Sequence, residues 1–171
     1  MTCMKSSELA SVQKECIWSL SNLAVGSSKL VQKMADLRVF EDVIGVLHQS
    51  NGDEGIIRES AYVLANPWST PMGTDATKAL MDQGVVKEMI ELLALDTPEK
   101  VLKVVMDGLK DAVKKGMVLQ ITAKEGAVNP VVSLMRQMDA HGRLEGLSSA
   151  SSDVGVRSMA NTLLNALTLD E

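Results

Sequence analysis

Apolar residues recur at helical spacing in short blocks throughout the chain, and Val12 to Gly26 shows the pattern most clearly. With successive residues about 100° apart, Val12, Cys16, Leu20 and Leu23 fall within about 0–80° and form an apolar stripe. Trp18, Asn22 and Glu15 fall at about 240–300°, on the polar side. Gly26, just past the last periodic residue, is the expected stop. A large aromatic held beside an amide on the solvent side of a helix is poorly explained as packing within its own hairpin, and so points to a ligand.

The same division recurs downstream. In the helical stretch Ile56 to Asn66, Glu59, Tyr62 and Asn66 share one face, while Ile57, Ala61 and Leu64 share the opposite one. Trp18 and Asn22 are answered 44 residues on by Tyr62 and Asn66, and a further 45 on by Asp107 and Asp111 in the stretch Glu99 to Lys114. A second apolar block recurs at Val39 to Leu47, Val85 to Leu93 and Ala127 to Met135, with starts 46 and 42 residues apart. Ahead of each block lies a short helical piece: Lys29 to Asp36, Thr74 to Gly84, and Val118 to Gly126. Val154 to Leu167 reads as a closing third helix.

Periods of this length belong to helical arrays of the armadillo and HEAT classes. The spacing predicts an all-α, armadillo-repeat α-solenoid in which three-helix units stack into a right-handed superhelix. Residues 1–11 read as a lead-in and 12–27 as the third helix of a truncated first repeat. Three repeats follow at 28–73, 74–116 and 117–171, the last interrupted by a Gly/Ser-rich loop at about 139–153. A chain that opens in mid-repeat is expected to be a fragment.

Composition narrows the classes. Of 171 residues, 46% are apolar and only 2% aromatic, against 11 Met, which suits helices packed on helices rather than strand-rich folds. The net charge of −5 argues against nucleic-acid binding and mildly favours basic partners. Cys3 and Cys16 have no metal-ligand spacing and fit a reducing compartment. No apolar run approaches the length of a membrane span, and the N-terminus lacks a signal-peptide centre, so a soluble intracellular chain is expected. No nucleophile elbow, P-loop or metal-binding helix motif is present, and His48 and His141 have no acid or nucleophile pattern beside them. An enzyme, a cofactor and a metal are therefore not expected.

The recurring patch has a chemistry of its own. Glu15, Trp18 and Asn22, at i−3, i and i+4, share one helix face. Repeated along an array, such patches make a ladder of amides with rings between them. Asn offers a donor and an acceptor to the main chain of an extended peptide. Rings form slots for the aliphatic stems of Lys or Arg, whose charge gains about 0.5–2 kcal/mol from the ring face. A carboxylate beside the slot answers that charge, although Glu15 and Glu59 read equally well as solvated charges. Pro67 biases Asn66 away from helical dihedrals and predicts that its helix ends a turn early, displacing that rung. Trp68 is expected to plug the junction between units.

At these residues the chain resembles importin-α, the adaptor that reads nuclear localisation signals. Gln13 to Gly26 looks like the third helix of one of its armadillo repeats. Phe40 to Leu47 is similar to its middle helix, and Arg58 to Asn66 resembles its next third helix with Tyr in place of Trp. Lys103 to Leu109 continues in the same style, so the likeness spans Val12 to Leu167 and points to the C-terminal repeats. The resemblance implies basic localisation peptides as ligands, bound as at the family's minor site. Trp18 with Asn22 would form one rung, Tyr62 with Asn66 the next, and Ser21, Glu15 and Glu59 would support them. In the following unit Asp107, Asp111 and Val104 replace the aromatic, amide and acidic positions, which makes Asp107 and Asp111 weaker candidates. It further implies shuttling between cytoplasm and nucleus. The family's export receptor would contact Val154 to Glu171, whose acidic Asp170-Glu171 end suits a basic partner. Importin-β would be engaged only through a basic N-terminal arm that this sequence lacks. The alternative is a generic armadillo scaffold with a different protein partner, and a hydrolase built on His48 or His141 is the remaining, disfavoured reading.

Overall fold

A computed structural model describes residues 10–123 and 125–168. Among the described residues there are ten helices and no strands: α1 Ala10–Ala24, α2 Ser28–Asp36, α3 Val39–His48, α4 Glu54–Ser69, α5 Thr74–Asp82, α6 Val85–Glu91, α7 Glu99–Thr122, α8 Pro130–Gln137, α9 Ala140–Ala150 and α10 Val154–Thr168. After α1 they fall into three triplets of two short helices and a longer one. The chain divides into two compact units, residues 1–85 and 86–171. In the first, α4 packs against α1 and α3, and α2 packs against α1, α3 and α5. In the second, α10 packs on α9 and α7, and α8 on α7 and α9.

Local chemistry places the boundaries. Ser27, Asp53, Asn129 and Asp139 each accept a backbone N–H of the first turn that follows, satisfying donors the helix itself leaves unpaired. The turn from the first to the second helix of each triplet passes through one left-handed residue: Arg38 at φ 53°, Gly84 at φ 79° and Asp139 at φ 53°. Only the glycine announces such a turn in sequence.

Four expectations need correction. The buried face of α1 is Ile17, Ser21 and Ala24, whereas Leu23 of the predicted stripe is 45% exposed. Periodicity finds an apolar face, but which face is buried depends on where α4 lies. Helix α4 does not stop before Pro67. It runs through to Ser69, with Leu64, Ala65, Pro67 and Trp68 all buried, so packing overrides the local bias against helix at Asn66.

Helix α7 is continuous for 24 residues, so the repeat boundary placed at 116/117 falls inside it and no separate helix begins at Val118. A single Gly116 costs a helix only about 1 kcal/mol and does not break it. Lys124 lies outside the described residues, as do residues 1–9 of the lead-in with Cys3, and the acidic end Asp170-Glu171.

The last triplet is shifted accordingly. Its first helix is α8, and the supposed loop at 139–153 contains its middle helix, α9. Ala140, Leu144 and Leu147, spaced i, i+4 and i+7, supply the buried stripe. Ser148 and Ser149 turn their hydroxyls onto the Glu145 carbonyl at 2.9 and 2.8 Å, so the serines that suggested a loop are accommodated inside a helix. Trp68 is 1% exposed, in keeping with a packing role.

Candidate functional site

Helices α1 and α4 run in the same direction side by side. Lys14 lies over Gly55 near their starts, where an added Cβ would meet Lys14 Cδ at 2.7 Å. Near their ends the Asn66 amide donates to the Ser21 carbonyl at 3.0 Å. This pairing sets the two rungs next to each other on one surface of the first unit. Trp18 is 52% exposed and Tyr62 37%, the former as the wheel required. Trp68 is buried, so Trp18 is the exposed indole among the described residues.

The rungs are not equivalent. Asn22 is exposed, and its amide folds back onto the Trp18 carbonyl at 3.1 Å, which also accepts from the Ser21 hydroxyl at 2.8 Å. Asn66 is half-buried and instead ties α4 to α1. Ser21 itself is 6% exposed and contributes to the interface through its carbonyl. Glu59 is 8% exposed, and the Arg58 guanidinium donates twice to one of its oxygens at 2.9 and 3.0 Å. Its charge is already answered. Glu15 remains the exposed carboxylate of the patch.

In the second unit, the carboxylates at the corresponding positions of α7 are engaged by their own helix. Asp107 accepts from Lys110 at 2.5 Å and Asp111 from Lys114 at 2.7 Å, and Asp107 holds the Lys110 ammonium above its ordinary pKa. This part of α7 presents no net negative charge to a basic ligand. Farther along α7, Met117, Val118 and Ile121 are exposed on one side, the last by 82%. A cavity of about 240 Å³ nearby is lined by Gln120, Val128, Val132 and Arg136, but the Arg136 guanidinium is turned to the Leu167 carbonyl at 2.8 Å.

Two relationships escaped the sequence reading. Asp53-Glu54-Gly55-Ile56 and Asp153-Val154-Gly155-Val156 open α4 and α10 with one motif 100 residues apart. Each Asp caps its helix at 2.9 Å, and each Gly lies beneath a lysine of a neighbouring long helix, Lys14 in one unit and Lys103 in the other. Lys103 also bonds Asp153 at 2.6 Å, and this ammonium together with the Val156 N–H holds the Asp153 carboxyl below the usual range. The repeated Asp-x-Gly-Ile/Val was visible in the sequence. Asn129 was not: it is 2% exposed, caps α8 and donates to the Val113 carbonyl at 3.0 Å across the space left by Gly116.

The chain superposes on a designed armadillo repeat protein, YIII(Dq)4CqI, with a TM-score of 0.74 and 20% identity, over 96% of this chain and 61% of that one. The fold is the armadillo-repeat solenoid. Two engineered proteins of the Northeast Structural Genomics Consortium also match, both with TM-scores of 0.56 over 96% of this chain. Their identities are 21% and 22%, and the match covers 76% and 46% of their own lengths. This chain thus spans about three-fifths of the designed armadillo protein. No family model matches the sequence, and the search of curated proteins found no match.

Among the described residues no group of three His, Cys, Asp or Glu side chains is placed to hold a metal. His141 stands 3.6 Å from Glu145 on α9 and His48 ends α3. No described helix is long and apolar enough to cross a membrane.

Proposed function

We propose that this protein binds an extended, basic peptide of the nuclear-localisation-signal class along the α1/α4 surface, in the manner of the import adaptors it resembles. The observation that carries this reading is the pair of exposed aromatics, Trp18 and Tyr62, each followed one turn on by an asparagine, on helices packed side by side. Neighbouring helix axes lie about 8–10 Å apart. An extended chain advances about 3.3 Å per residue, so adjacent rungs match every third peptide residue. A lysine stem beside Trp18, with Glu15 near its ammonium, and a peptide amide at Asn22 form the strongest contact. The rung at Tyr62 adds a smaller ring, and its Asn66 amide is committed to Ser21. Since Asp107 and Asp111 are neutralised within α7, the recognised segment is short.

The test is a calorimetric titration of the chain with a bipartite Lys/Arg-rich peptide at two salt concentrations. Binding should weaken as salt rises, and Trp18→Ala and Asn22→Ala should each lower affinity about tenfold or more. Unchanged affinity in both variants, or equal binding of a poly-glutamate peptide, refutes the proposal. The second of these outcomes would favour a generic armadillo scaffold with another protein partner.

A further inference from the structure

The two rungs of the α1/α4 surface present opposite charges. Each is preceded by a cation and a carboxylate in the same order, Lys14-Glu15 on α1 and Arg58-Glu59 on α4, 44 residues apart. On α1 the cation turns aside. The stem of Lys14 lies over Gly55, next to the Asp53 carboxylate, and Glu15 is left exposed one turn before Trp18. On α4 the carboxylate is withdrawn instead. The Glu59 side chain is 10% exposed against 49% for Arg58, whose Nε and Nη2 both donate to Glu59 Oε1, at 3.0 and 2.9 Å. The guanidinium is thus the outward half of this pair.

Arg58 also stands where a ligand would meet it. The exposed residues of α4 are Glu54, Arg58, Tyr62 and Ser69, and the first three follow at four-residue intervals, one above the other on the helix. Helical side chains lean back toward the N-terminus, which carries the Tyr62 ring over the turn that holds Arg58. Glu54 lies a further turn away from the ring. A group at Tyr62 therefore meets a guanidinium, whereas a group at Trp18 meets the Glu15 carboxylate. Arginine has five N–H donors in a planar fork that matches a carboxylate. Two go to Glu59, and Nη1 makes no hydrogen bond among the described residues.

We propose that Arg58 determines specificity at the second rung, selecting an acidic ligand side chain beside Tyr62, three residues along the peptide from the lysine beside Trp18. This rests on the reading of the α1/α4 surface as a peptide groove, and narrows its ligand from a uniformly basic segment to one that pairs a basic with an acidic residue at that spacing. The Arg58 Nη1 donors take the ligand carboxylate while Nε and Nη2 stay on Glu59, so the pair that neutralises Glu59 is not broken by binding.

The test titrates short capped Gly/Ser peptides into the full chain, each with one central lysine and with Glu, Gln or Lys three residues before or after it. Binding is followed by NMR at the backbone amides of α1 and α4. In one of the two chain directions the Glu peptide should bind at least about threefold more tightly than the Gln peptide, and the Lys peptide no more tightly than Gln. Arg58→Lys should keep this preference. Arg58→Gln combined with Glu59→Gln, which removes both charges of the pair, should bring the Glu and Gln peptides to within about twofold of each other. Binding that requires Trp18 but is equal for Glu, Gln and Lys, or a Glu preference that persists without Arg58, overturns the role of Arg58 alone. Binding of all the peptides that survives Trp18→Ala removes the groove reading, and the role of Arg58 with it.

Discussion

Asn22 and Asn66 occupy equivalent places one repeat apart, yet replacing them with alanine should have different consequences. Asn66 donates at 3.0 Å to the carbonyl of Ser21, one of the last four residues of α1, where carbonyls have no intrahelical partner. Ser21 is 6% exposed, so Asn66→Ala leaves a largely buried acceptor unpaired, at a cost of about 1–3 kcal/mol. Asn22→Ala removes an exposed bond to its own helix at Trp18, which water replaces. Both substitutions gain similar helix propensity, about 0.5 kcal/mol, so their difference isolates the bond between helices. For a chain of this size 1 kcal/mol moves the thermal midpoint by about 2–4 °C. Asn66→Ala should therefore melt at least about 2 °C below Asn22→Ala in a circular-dichroism scan at one protein concentration. Equal midpoints, or a lower one for Asn22→Ala, would refute the claim that Asn66 ties α4 to α1. The peptide titration separates the roles further, because Asn22→Ala should lose affinity without losing stability.

Two helical glycines should respond to alanine with opposite signs. An added Cβ at Gly45 in α3 meets nothing within 4 Å, so Gly45→Ala should raise stability by about 0.5–1 kcal/mol. At Gly116 it would fall 2.0 Å from Asn129 Oδ1, a buried cap with no room to move, so Gly116→Ala should cost about 2 kcal/mol or more in urea unfolding. The Lys103–Asp153 pair gives the second unit an acid-sensitive contact. Asp153 titrates below its ordinary value when folded, so its contribution is complete above about pH 4 and is lost as pH falls through the lower folded value. Between pH 6 and pH 2.5 the parent should lose more of its melting temperature than Lys103→Met, and parallel pH profiles would contradict this assignment.

The exposure of Trp18 and Tyr62 was legible because an aromatic on the polar side of a helix is a local property. Trp18 faces solvent for the reason its position in the periodicity gave, and the 44-residue recurrence to Tyr62 and Asn66 placed the two rungs on corresponding helices. Glu59 was not legible as a buried, arginine-bound carboxylate, because its burial comes from α1, which is distant in sequence. The last repeat was misread where serines and glycines outnumber apolar residues. Composition there suggested a loop, while three apolar residues at helical spacing were enough to bury α9.

The sequence by itself determined the helical class, the repeat length and which aromatic stands in solvent, since these follow from the spacing of side chains along one helix. Tertiary structure alone decided which of α1's faces is buried, that α7 runs unbroken past Gly116, and that Asn66 is spent on Ser21 while Asn22 is not. Each of those depends on a neighbouring helix brought alongside by the fold. A residue's own periodicity carries no record of that neighbour.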